Sequence, residues 1–164
     1  MSQDNNAAPA TPENAPIFQL KSVYVKDLSF EAPNTPEIFF NQAEPKIEVN
    51  LRNEMRQLDA DHHEVTLIAT VTAKADDKTL YIVEVHQGGA FMLKNIPPEA
   101  GNVVLNVNSP TILFPYLRES ISSAIIRGGF QPLLLAPVNF EAIYQQNLAR
   151  EQAAAAEAEP VTKH

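Results

Sequence analysis

The chain has 164 residues, 45% of them hydrophobic, which suits one domain with a buried core and excludes a disordered polymer. Twenty acidic residues against 12 basic ones give a formal net charge of -8, which argues against a nucleic-acid or anionic-membrane surface and favours a basic partner. The absence of cysteine excludes disulfides, thiolate catalysis and cysteine-ligated metal, and fits a reducing cytoplasm.

Residues 1–16 are polar and proline-containing, and are expected to form a disordered N-terminal tail. They lack the basic region and apolar core of a signal peptide. No apolar run reaches the ~20 residues of a membrane helix, so no membrane insertion and a cytoplasmic location are expected. Ile17 to Phe30 reads as a strand in which Phe18 and Leu20 alternate with Gln19 and Lys21. Its phase slips around Ser22, which implies a bulge or burial on both sides. Asp27 and Glu31, four apart, point to one face of an extended chain. Residues 32–45 hold three prolines and form a loop. Two readings stand for its adjacent Phe39 and Phe40: the rings staple the loop to the core, or they line a groove for apolar ligands.

Lys46 to Leu58 alternates as a half-buried antiparallel strand, with Ile47, Val49 and Leu51 on one face. Residues 59–62 turn, Glu64 to Ala73 alternates again, and residues 75–78 read as a hairpin loop. Thr79 to Gln87 is the fourth strand, with Tyr81, Val83 and Val85 on one face and Leu80, Ile82, Glu84 and His86 on the other. Two apolar faces imply cover on both sides and hint at self-association. Gly88-Gly89 is expected to break this strand. Phe91, Leu93 and Ile96 return to the core, Pro97-Pro98 ends regular structure, and residues 99–108 fit a short helix only ambiguously. A regular helix is expected to start near Pro115, with Leu117, Ile121, Ala124 and Ile125 as its apolar stripe and Gly128-Gly129 as its stop. Pro132 and Pro137 bracket a buried connector. Asn139 caps a second helix, on which Phe140, Ile143, Tyr144 and Leu148 share a face. The domain thus spans 17–149, and the alanine-rich residues 150–164 form a flexible C-terminal tail. Strands followed by helices give an α+β class: a four-stranded antiparallel sheet, a meander, with two C-terminal helices packed on one face.

Chemistry is sparse. No glycine-rich phosphate loop is present, so no nucleotide or other cofactor is expected. The histidines lack metal-ligand spacing, and no serine sits in a nucleophile elbow, so neither a metal site nor an enzyme is expected. Asp27, Glu31 and Glu84 are either a solvated sheet face or a flat acidic patch for a basic partner. Phe39, Phe40, Phe140, Ile143 and Tyr144 are either core or a groove between loop and last helix.

The segments LFPYLRESI, RGGF and LLLAPVNFEAIY resemble the C-terminal half of the SecB family, bacterial protein-export chaperones. KDLSFEAPNTPEIF and YIVEVHQGGAF resemble the same family in the same order, so the resemblance covers roughly Ile17 to Leu148. It implies a cytoplasmic homotetramer, a dimer of dimers, that binds unfolded precursor proteins without ATP and passes them to the translocase ATPase SecA. It also implies a client groove at Phe39, Phe40, Phe140, Ile143 and Tyr144. SecA would dock on Asp27, Glu31, Ile82 and Glu84. The first long helix would lie in the subunit interface, with Leu117, Ile121 and Ile125, and with Val83 and Val85 of the sheet. Thr111, Leu117, Gln131 and Glu141 depart from residues common in the family, without removing a groove or docking residue. Two rivals of other classes remain at this stage. A small-molecule site lidded by the aromatic loop predicts a defined cavity. A plain adaptor predicts no affinity for unfolded chains.

Overall fold

Alternation of apolar and polar residues builds the sheet. The computed structural model describes residues 13–158, so most of the N-terminal tail and the end of the C-terminal one lie outside the described residues. Strands β1 (Ile17–Glu31), β2 (Lys46–Gln57), β3 (His62–Ala75) and β4 (Lys78–Lys94) pair antiparallel in the order β1-β4-β3-β2. The α+β class is as expected. The meander proper runs through β2, β3 and β4, and β1 closes against β4. Asp76 and Asp77 take φ of 49° and 61°, the left-handed pair whose twist suits a two-residue hairpin. Between β2 and β3 the Asp59 carboxylate accepts from the N–H groups of Asp61 and His62 and pairs with the His62 ring.

Two irregularities in β1, between Leu20 and Ser22 and between Val25 and Asp27, keep its faces in phase with β4. The expected slip near Ser22 is therefore a bulge, and Lys26 is a second extra residue. After it, Leu28 and Phe30 share the helix-covered face, and Asp27, Ser29 and Glu31 share the open face.

Gly88-Gly89 does not break the fourth strand, which runs on to Lys94. The glycines serve close packing instead. A Cβ on Gly88 would overlap the Tyr24 ring, and one on Gly89 would stand 2.7 Å from Phe91 and 2.8 Å from Leu113.

The helix also starts earlier than expected. Helix α1 (Pro98–Val103) passes through a π-helical turn, Val104–Asn108, into α2 (Ser109–Arg127), so Pro115 lies inside α2. The Ser109 hydroxyl donates to the Val104 carbonyl at 2.9 Å, and Thr111 to Val107 at 2.6 Å. Pro115 itself is exposed on this helix. Leu113, Leu117, Ile121 and Ile125 are fully buried, in one core with Val65, Val83, Val85 and Phe91. Leu117, Ile121, Ile125, Val83 and Val85, which the resemblance places at a subunit interface, are thus buried within the chain's own core.

Helix α3 (Phe140–Ala158) is capped as expected, with the Asn139 side-chain oxygen accepting from the Ala142 N–H at 3.0 Å. Phe140 is buried edge-on against Phe114, while the residues beyond it are largely exposed. The helix continues into the region expected as a flexible tail.

Candidate functional site

Three surfaces bear the residues singled out in the sequence. The first lies beside the short 3-10 turn Glu37–Phe40. Here Ile38, not the phenylalanines, is the buried staple. Phe39 is 48% exposed and stacks on Phe130 with centroids 5.0 Å apart. Phe130 also meets Phe30 and Tyr81, and so ties the loop after α2 to the sheet. Between them opens a hollow of about 510 Å³ walled by Phe39, Ile47, Leu80, Tyr81, Phe130 and Leu133. Phe40 is 84% exposed and is not among the residues that wall this hollow.

The second surface lies between α3, β2 and the π turn. A hollow of about 470 Å³ is walled by Leu51, Asn53, Asn106, Phe140, Ile143 and Tyr144. Ile143 is exposed and Tyr144 half-buried, whereas Phe140 belongs mostly to the core. The structure therefore does not bring the loop aromatics and the α3 residues into one hollow. It places them in two, both touching the helix-covered side of β2, at Ile47 and at Leu51. Exposed Val49 stands between those two residues on the same side. Strand geometry puts about 13 Å between the two ends of this strip. β2 is an edge strand, so one row of its backbone donors and acceptors is unpaired among the described residues.

The third surface is the opposite side of the sheet. Asp27 pairs with His86, Ser29 with Glu84 and Glu31 with Ile82 in alternate rungs of β1 and β4. Asp27, Glu31, Ile82 and Glu84 are thus neighbours on one face. Glu84 accepts from His86 Nε2 at 2.7 Å and from the Thr70 hydroxyl at 2.8 Å. The His86 bond, then Thr70, holds the Glu84 carboxyl below the usual range. Donor atoms of Asp27, Glu84 and His86 lie within 4.8 Å of one another, but the imidazole–carboxylate separation is that of a hydrogen bond. Further along this face, buried Glu64 accepts from Tyr24 at 2.6 Å and pairs with Lys26 and Arg56 at 3.1 and 3.0 Å.

Sequence reasoning missed Phe130, which RGGF places just past the helix stop, and His86, which alternation places on the acidic face. It also missed Glu64, whose partners are distant in sequence.

The model of the family described as "Preprotein translocase subunit SecB" matches residues 11–151. The chain belongs to the SecB family. Protein-export proteins SecB from Chromobacterium violaceum and Neisseria meningitidis serogroup B are 49% and 46% identical to it, covering 85% and 87% of this chain and 93% and 98% of theirs. The homologue from Magnetococcus marinus is 46% identical, over 97% of this chain and 99% of its own. Among solved structures, a SecB-like chaperone of Mycobacterium tuberculosis, in complex with a ChAD peptide from the HigA1 antitoxin, shares the fold. Its TM-score is 0.62 at 12% identity, over 74% of this chain and 90% of that one. No helix among the described residues is long and apolar enough to cross a membrane.

Proposed function

We propose that this SecB-family chain is an ATP-independent holdase of the cytoplasm that keeps precursor proteins unfolded and delivers them to the SecA translocase ATPase. The observation that carries the reading is the exposed apolar strip along β2, running beside an unpaired strand edge and meeting a hollow at each end. An unfolded chain offers both things this strip lacks: apolar side chains for the hollows and backbone groups for the edge. A folded protein hides both, which gives selectivity without an energy source. The peptide bound to the mycobacterial chaperone of the same fold supports peptide binding as a use of this fold.

Each buried client side chain contributes roughly 1.5–3 kcal/mol, so one pair of hollows binds weakly. Linked copies raise avidity without new contact types. The proposed assembly is a homotetramer, a dimer of dimers. Its contacts would use the outer side of α2, where Tyr116 and Ile126 are exposed, because the inner stripe is occupied. The acidic face of Asp27, Glu31, Ile82 and Glu84 lies on the other side of the sheet from the strip and would dock SecA. Client and SecA can then be held together.

The test is native mass together with suppression of aggregation of a denatured, slowly refolding protein, without nucleotide. Expected are the mass of four 18.1-kDa chains and suppression. Asp27→Lys with Glu31→Lys should abolish SecA binding and leave clients bound. A monomer that suppresses nothing would sink the holdase reading, and joint loss of SecA and clients would sink the two-surface arrangement.

A further inference from the structure

The acidic face contains one residue of the only type whose ordinary titration falls between about pH 5 and pH 8. His86 sits in the rung opposite Asp27 on one side and Ile68 on the other. Its Nε2 donates to Glu84 at 2.7 Å, and one carboxylate oxygen each of Asp27 and Glu84 and a ring nitrogen of His86 all lie within 4.8 Å of one another.

On β3 the facing residues are Thr66, Ile68 and Thr70, none of which titrates. Beyond them β2 offers Arg52 and Glu54, which pair with each other at 3.4 Å. On β1, Lys26 is directed to Glu64 at 3.1 Å. The Glu84 carboxyl is held below its usual range by the His86 and Thr70 bonds first, with a smaller contribution from Arg52.

We propose that His86 is a positioning residue of the docking face, holding Glu84 in place and, when protonated, cancelling one of its negative charges, so that binding of a basic partner is proton-linked. The proposal rests on the reading of this face as the SecA site. A cationic ring between Asp27 and Glu84 repels a Lys- or Arg-bearing surface and ties up the carboxylate that surface would use. By reciprocity, partner binding expels the proton.

The experiment is SecA affinity by calorimetry from about pH 8 to about pH 5.5 at fixed ionic strength. The proteins are the full-length wild type, His86→Gln and His86→Leu. Titration of SecA itself is common to all three. The Gln variant keeps an N–H donor for Glu84 and loses the titration. The wild type should weaken roughly threefold to tenfold more than His86→Gln between the two ends. His86→Leu should bind more weakly than His86→Gln at both. Parallel wild-type and His86→Gln profiles overturn the proposal if Asp27→Lys with Glu31→Lys still abolishes binding. If that charge reversal leaves SecA binding intact, the docking reading itself has failed.

Discussion

Glu64 is where a change of one side-chain group should be felt across four strands. It is 5% exposed, yet it accepts from Tyr24 on β1, whose ring passes over Gly88 of β4, and from Lys26 and Arg56 on β1 and β2. The Tyr24 bond, against the opposing effect of burial and with help from both cations, holds its carboxyl below the ordinary range. Glu64→Gln keeps the shape and removes the charge. Lys26 and Arg56 are 40% and 67% exposed, so each ion pair contributes less than about 1 kcal/mol. The Tyr24 bond to a buried carboxylate contributes roughly 1.5–3 kcal/mol. The expected loss is about 2–4 kcal/mol, or a fall in Tm of roughly 5–12 °C for a chain of this size. The assay is urea and thermal unfolding of wild type, Glu64→Gln, Tyr24→Phe and the double variant at one protein concentration. Coupling between the two sites should reach about 1 kcal/mol, and coupling near zero would refute the reasoning. The sign with pH follows from the lowered carboxyl. Its stabilisation is present above the unfolded glutamate range and is lost as pH falls through the folded value, so Glu64→Gln should flatten the acid limb. Tyr24 is pushed up to about 12 by burial, then by Glu64. Its contribution is intact below the unfolded tyrosine range and is lost as pH rises toward that value.

Gly88→Ala should cost roughly 1–3 kcal/mol because the new methyl displaces the Tyr24 ring, and the urea midpoint should recover part of that cost in a Tyr24→Ala background. Leu117→Ala should lose roughly 2–5 kcal/mol as a cavity under α2, whereas Tyr116→Ala should change subunit association more than the stability of the dissociated chain; native mass separates the two. Phe40→Ala should leave unfolding within about 0.5 kcal/mol of wild type and still weaken binding of an unfolded client in a fluorescence titration. Phe39→Ala should additionally lose roughly 0.5–1.5 kcal/mol of stacking on Phe130.

The strands were legible because period two is a local signal, and the bulge near Ser22 showed as a break in it. Asp27, Glu31 and Glu84 were legible as face-sharing acids for the same reason. What failed depended on partners far along the chain. Gly88-Gly89 reads locally as a breaker, but the space it leaves is filled by Tyr24, Phe91 and Leu113. Pro115 reads as a start, yet the π turn Val104–Asn108 and α2 form one helical run that passes through it. The stripe Leu117, Ile121, Ile125 reads equally as core or as interface, because burial by one's own sheet and burial by a second copy demand the same side chains. The α3 residues shared a helical face, but how far β2 would separate them from Phe39 was not written in any one segment.

The unpaired edge of β2 has a price in self-recognition. A twelve-residue strand open on one side is a template for any extended chain, including another copy's β2, and edge-to-edge pairing of that kind joins two copies through their sheets. Within β2 there is no proline. The protection is electrostatic: Lys46, Glu48, Arg52, Glu54 and Arg56 alternate with the apolar residues along the open face of the sheet. In a parallel, in-register pair each would meet its own like charge, whereas a neutral extended segment meets none. Replacing these five by neutral polar residues would leave the apolar strip untouched and remove what keeps the open edge of one copy from pairing with that of the next.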